Sequence, residues 1–230
     1  MSAVAAKIWE RVVHVTAGPV RVQGDLAVPE DAAGLVLFAH GSGSNRLSPR
    51  NRAVARELQD RGLGTLLIDL LTDEEESMDA ESARLRFDIG LLAERLIGAT
   101  DWLSLQHPMR RLPIGYFGGS TGAAAALVAA ASRPEAVRAV VSRGGRPDLA
   151  AAALPRVQAP TLLIVGARDL PVIRMNEESL PLLACEKTMT LVPGATHLFE
   201  EPGALPAVAH LAGDWFLRWL SSARGRATRP

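Results

Sequence analysis

Leu112-Pro113-Ile114-Gly115-Tyr116-Phe117-Gly118-Gly119-Ser120-Thr121-Gly122-Ala123-Ala124-Ala125-Ala126-Leu127-Val128 decides the fold. The first half is an apolar run of strand length and the second an Ala-rich helix former, so Gly118 to Gly122 is the sharp turn between them. The turn reads G-x-S-x-G. A serine at the apex of such a turn takes a strained backbone, and the positions two before and two after it come close enough for side chains to collide. Both positions are glycine here, Gly118 and Gly122. The following helix aims its N-terminal N–H groups and positive dipole end at the point where an oxyanion develops during acyl transfer. Thr121 N–H is the expected first donor. Alone, the motif is weak, because a glycine-rich turn into a helix is usually only a turn.

A serine hydroxyl is a poor nucleophile unless a base takes its proton, and that base needs a third group to fix its tautomer. Downstream, Asp169 stands just past the buried-strand run Thr161 to Val165, and His197 follows the next strand within Pro193-Gly194-Ala195-Thr196-His197-Leu198-Phe199. The order Ser, Asp, His, with acid and base on consecutive strand ends, is the order that accompanies this elbow. Simpler roles compete: Asp169 as a turn residue before Leu170-Pro171, and His197 as the cap of a helix beginning near Pro202. Asp69 also ends a strand and is the reserve acid, although it precedes the elbow. His14 in an edge strand, His107 beside Pro108 and His210 on the last helix are read as structural or surface residues.

Upstream, Gly34 to Ala39 is continuously apolar, as in a strand covered on both faces of a parallel sheet. It runs into His40-Gly41-Ser42-Gly43, whose Ser42 N–H is the candidate second oxyanion donor, with His40 shaping the loop. Gly41 to Arg46 also approaches the dinucleotide pattern G-x-G-x-x-G, with Asp69 as the ribose acid. Arg46 stands where the third glycine is needed and the helix starts only at Ser48, so that reading fails.

Around this centre the chain alternates strands and helices. A leading hairpin pairs Val12–Thr16 with Val20–Val28 across Gly18-Pro19. A helix capped by Ser48 with Pro49 first ends at Gly62, and Thr65–Asp69 is the next strand. Asp73-Glu74-Glu75-Glu76 is a solvated loop or helix start; no His or Cys joins it to make a metal site. Leu85, Ile89, Leu92, Leu96 and Leu103 give one long amphipathic helix to about Gln106. After the elbow come a strand at Val137–Ser142, a short helix at Leu149–Leu154, a strand at Thr161–Val165, a helix near Glu177–Ala184, a strand at Thr188–Val192, and a last helix carrying Val208, Leu211, Trp215 and Trp219. The result is a doubly wound, mostly parallel α/β sheet with helices on both faces. Residues 1–223 are expected to form one domain, and 224–230 a flexible tail.

The chain has 230 residues, with 25 basic and 25 acidic side chains and one cysteine, Cys185. Balanced charge gives no global field for nucleic acid or an anionic membrane, so a small-molecule substrate fits better. A lone cysteine forms no internal disulfide. The first ten residues lack a signal-peptide core and no apolar run spans a bilayer, which points to a cytoplasmic protein.

The chain resembles the α/β-hydrolase superfamily, and within it the small lidless members grouped with dienelactone hydrolase. His40-Gly41-Ser42-Gly43, Gly118-Gly119-Ser120-Thr121-Gly122, Gly166-Ala167-Arg168-Asp169 and Ala195-Thr196-His197-Leu198-Phe199 carry the match. The resemblance implies an eight-stranded sheet with an antiparallel second strand, no cofactor or metal, and hydrolysis of an ester, lactone or related acyl compound. Dienelactone hydrolases proper use a cysteine at the elbow, whereas this chain has Ser120, which moves the expectation toward a general carboxylesterase. Only 49 residues separate Ser120 from Asp169, too few for a large cap domain, so small or water-soluble esters suit the site. Arg46, Arg143 and Arg146 lie on loops near Ser120 and are candidates for a substrate carboxylate, against the plainer role of ion pairing. A catalytically silent binding module and an acyltransferase using the same triad are the alternatives.

Overall fold

The computed structural model describes residues 7–227, with side chains to residue 221. The leader reading at the N-terminus therefore falls largely on residues outside the described ones, as do 228–230 of the expected tail. Eight strands form one sheet: β1 (Ile8–Ala17), β2 (Val20–Pro29), β3 (Leu35–Ala39), β4 (Gly64–Ile68), β5 (Ile114–Gly119), β6 (Val137–Arg143), β7 (Thr161–Gly166) and β8 (Lys187–Val192). Their order is β1-β2-β4-β3-β5-β6-β7-β8. β2 is antiparallel to both β1 and β4, and the rest are parallel. This is the α/β-hydrolase arrangement. β3 to β7 are buried along nearly their whole length, which is why their sequences are apolar without alternation.

The described residues also form six α-helices: α1 (Pro49–Asp60), α2 (Asp73–Ser82), α3 (Ile89–Ser104), α4 (Thr121–Ser132), α5 (Leu170–Ser179) and α6 (Ala204–Ala227). On one face, Leu92, Leu96, Ala99 and Leu103 of α3 and the alanines of α4 pack with Leu37, Leu66 and Tyr116. On the other, Val54 and Leu58 of α1 and Val208, Ala212 and Phe216 of α6 pack with Val36, Phe117 and Val141. Ala123 to Ala126 are fully buried, so α4 lies close on the sheet and leaves its N-terminus at the carboxyl ends of the strands.

Three expectations are corrected. The long helix from Leu85 breaks: buried Asp79 accepts from Leu85 N–H at 2.7 Å and from the Arg86 guanidinium, holding Leu85–Phe87 as a separate 3-10 turn, and Asp88 then caps α3. The stretch Leu149–Leu154 forms no α-helix but two 3-10 turns, Pro147–Ala150 and Leu154–Arg156, because Pro155 removes the N–H that would continue a helix. The helix placed at Glu177–Ala184 instead begins at Leu170, where Pro171 fits the first turn. The last helix is assigned as far as Ala227. The acidic run is a helix start: Thr72 Oγ1 accepts from Glu75 N–H and the Glu75 carboxylate accepts from Thr72 N–H, a capping box opening α2.

Candidate active site

β3, β5 and β6 end level with one another, Ala39 beside Gly118 and Gly119 beside Arg143, so the turns after them share one rim. At the apex of the middle turn Ser120 has φ +49° and ψ −120°, a conformation that costs a non-glycine residue about 1–3 kcal/mol. The flanking glycines make the turn possible. A Cβ on Gly118 would lie 2.4 Å from Ala123 Cα, and one on Gly122 would lie 2.3 Å from Ala39 O and 2.4 Å from His40 O. The Ser120 carbonyl accepts from Ala123 N–H and Arg146 N–H, each at 3.1 Å, which fixes the elbow from both sides.

Asp169, at the start of α5, makes no capping bond with its side chain. Its Oδ2 instead lies 2.7 Å from His197 Nδ1. The carboxylate side chain is 10% exposed and the imidazole 42%, so the carboxylate is shielded while the imidazole faces solvent. The histidine loop is held by residues the sequence reading missed. Thr196 donates from its N–H at 3.1 Å and its hydroxyl at 2.6 Å to Glu201 Oε1, bonds that hold the Glu201 carboxyl below its usual range. Buried Phe199 takes φ +55° to turn the loop back. Two residues spaced five apart on an irregular loop carry no periodic signal. Ser120 Oγ and His197 Nε2 have no hydrogen-bond partner among the described residues. They share a wall nonetheless: Arg143 O accepts from Ser120 N–H at 3.4 Å, and a Cβ on the next residue, Gly144, would lie 3.3 Å from His197 O.

Thr121 is the first residue of α4, so its N–H has no intrahelical acceptor and points at the rim. Ser42 departs from the expectation of a free second donor, because its N–H donates to Thr121 Oγ1 at 3.0 Å. Gly41 passes close to the nucleophile: a Cβ there would lie 3.0 Å from Ser120 Cβ. His40 shapes this loop as expected. Its Nδ1 meets Gly41 O at 3.1 Å and its Nε2 accepts from Leu70 N–H at 3.0 Å, and burial lowers its pKa. A cavity of about 230 Å³ opens beside the loop, on the α3 side, with Leu71, Glu76, Asp79 and Arg86 facing His40–Asn45. Burial, then the nearby Asp69 and Asp73 carboxylates, raise the Glu76 pKa.

The three candidate arginines separate. Arg46 is held by neighbours: its Nη1 donates to Asp69 at 2.7 Å, its Nη2 to Gln23 at 2.7 Å, and its backbone N–H to Asp69 at 2.9 Å, with Asp25 3.5 Å from Nε. That network also occupies Asp69, the reserve acid. Arg146 forms a two-pronged pair with Asp148, Nε to Oδ1 at 2.9 Å and Nη2 to Oδ2 at 2.7 Å. Both take part in ion pairs, the plainer of the two roles weighed for them. Arg143 has no hydrogen bond and no carboxylate partner among the described residues, and its Nε is fully buried. Its guanidinium lies over Gly119, against the Phe199 ring, and burial followed by repulsion from Arg50 pushes its pKa down to about 10.

Sheet order, elbow and histidine loop define the protein as an α/β-hydrolase in fold. No protein-family model matches the chain. The crystal structure of a dienelactone hydrolase from Anabaena variabilis ATCC 29413 is 62% identical, covers 92% of this chain and 98% of its own, and superposes with a TM-score of 0.91. A dienelactone hydrolase-like promiscuous phosphotriesterase from metagenomic libraries (19% identity, 92% and 98% coverage, TM-score 0.75) and Est1E from Butyrivibrio proteoclasticus (13% identity, 90% and 98% coverage, TM-score 0.73) share the fold. Among curated proteins, two from Mycobacterium tuberculosis, strains CDC 1551 / Oshkosh and ATCC 25618 / H37Rv, are 58% identical over 208 residues and are provisionally named phosphoribosyl transferases. The match takes in 90% of this chain and 46% of each of them, so the chain spans about half their length. The chain belongs to the dienelactone hydrolase-like family of α/β-hydrolases.

Proposed function

We propose that the protein is a serine hydrolase that cleaves a small carboxylic ester or lactone through an acyl-enzyme. The observation that carries this reading is the 2.7 Å pairing of Asp169 with His197 across the rim from a strained Ser120. In the reaction Ser120 Oγ attacks the acyl carbon, His197 Nε2 takes the hydroxyl proton and returns it to the leaving oxygen, and Asp169 holds the imidazole in the tautomer with its proton on Nδ1. Thr121 N–H faces the developing oxyanion. Water then enters, with His197 again as base, and releases the acid. The exposure of His197 supports water as the acceptor in preference to a bulky alcohol.

Arg143 narrows the substrate. A half-buried guanidinium whose Nε is enclosed and which has no counterion is costly to desolvate unless something negative meets it. We assign it to an anionic group carried by the ester, on the histidine-loop side of the elbow, while the cavity of about 230 Å³ on the α3 side takes a compact uncharged portion. Phosphoribosyl transfer, named for the two longer mycobacterial relatives, is not adopted as this chain's activity, because the match takes in only 46% of each of them. Ser120→Ala tests the nucleophile. It is expected to fold as the parent does and to lose nearly all turnover of a short p-nitrophenyl ester; unchanged turnover refutes the assignment.

A further inference from the structure

The Ser42 N–H, which the loop sequence offers to an oxyanion, is already taken. It donates to Thr121 Oγ1 at 3.0 Å. The threonine is 2% exposed and adjoins the nucleophile, and among the described residues its own hydroxyl proton has no acceptor. A hydroxyl whose oxygen accepts one hydrogen bond becomes a stronger donor through the proton it still carries. We propose that the second oxyanion donor is the Thr121 hydroxyl, backed by Ser42 N–H, so that the chain of donation runs from Ser42 N–H to Thr121 Oγ1 and from Thr121 O–H to the oxyanion. The inference rests on the serine-hydrolase reading and adds a donor group to it. Thr121 contributes twice, once through its N–H at the start of α4 and once through its side chain. No proton is transferred at this position; the hydroxyl hydrogen bond shortens as charge moves onto the carbonyl oxygen.

The arrangement has a physical rationale. A β-branched residue at the first position of α4 has few rotamers, and the bond from Ser42 fixes one of them before substrate arrives. The loop after β3 is glycine-rich, through Gly41 and Gly43, and would otherwise place its N–H loosely. In this account the loop aims the threonine, and the threonine meets the substrate.

The test compares Thr121→Val, Thr121→Ser and Thr121→Ala with the parent and with Ser120→Ala on one neutral p-nitrophenyl ester. Valine keeps the shape and removes the hydroxyl. Losing one oxyanion donor lowers kcat about 10²–10³-fold with little change in KM; valine and alanine are expected to show that loss and serine to recover most of it. If Ser42 N–H is itself the donor, removing the threonine oxygen frees it. Valine and alanine would then match or exceed the parent, and the proposal would be overturned. A loss in valine and alanine that serine does not recover would overturn it too, since the hydroxyl would not be what mattered. Should valine fail to fold, the alanine and serine pair gives the same decision. Turnover retained by Ser120→Ala would remove the nucleophile reading and this proposal together, whereas a dead Ser120→Ala beside an unimpaired Thr121→Val removes only this one.

Discussion

Arg46 and Arg143 both follow buried strands to the same rim, yet one is surrounded by acceptors and the other by none. Arg46 is held by Asp69, Gln23 and Asp25, residues contributed by β2 and by the end of β4, so its charge ties the loop after β3 to the antiparallel part of the sheet. Arg143 lies across Gly119, beside the Phe199 ring and within reach of the Arg50 charge, with no carboxylate partner among the described residues. A charge matched by protein carboxylates serves the fold. A charge left unmatched at the edge of a strained elbow does not serve the fold, and it is the ground for proposing an anionic group on the substrate. The difference teaches that residue type and position on the rim do not distinguish the two roles, and that the partners do.

The comparison can be broken most severely at Arg46. Arg46→Ala strands buried Asp69 and loosens the loop that carries His40 and Ser42. The expected cost is about 2–3 kcal/mol in chemical denaturation, together with lower kcat for every ester regardless of charge. An equally stable variant would show that the network is ornamental. Arg143→Met should do the opposite. Stability is expected to hold or rise, while kcat/KM falls about 10- to 50-fold for an ester bearing a carboxylate or phosphate, the strength of one charge-assisted contact, and much less for its neutral counterpart. Equal losses on charged and neutral esters would contradict the anion role.

A smaller effect is expected from His40. Burial lowers its pKa from 6.5, so the folded protein binds fewer protons than the unfolded chain. The stability contributed by the neutral ring, which accepts from Leu70 N–H, is complete above pH 6.5 and is lost as pH falls through the lower folded value. His40→Asn should flatten that part of an equilibrium-unfolding pH profile; an unchanged profile would show that another group sets it. The least is expected of Arg146→Ala. It removes a half-exposed pair with Asp148 and should shift stability by under about 0.5 kcal/mol, with the charged-to-neutral ester ratio unmoved.

Much of this was legible in the chain. The elbow was readable because Gly118 and Gly122 must be free of side chains, and the structure shows the backbone atoms they would strike. The Ser120, Asp169, His197 order and the hairpin ahead of the parallel sheet were readable because strand ends and apolar runs are local features. What escaped depends on distant partners. Periodicity carried the helix at Leu85 through Asp88, since it registers which residues are apolar and not that buried Asp79 folds Leu85–Phe87 into its own turn. Glu201 clamping Thr196, and Gln23, Asp25 and Asp69 gathering around Arg46, join side chains by geometry alone. The Thr121 side chain lay in full view within the motif, but its bond to Ser42 crosses 79 residues.

One measurement bears most directly on the nucleophile. Treating the native protein with a fluorophosphonate and mapping the adduct by peptide mass spectrometry should find one modified residue, Ser120, with labelling slowed strongly in His197→Ala. An unlabelled protein, or an adduct at any other residue, would contradict the account.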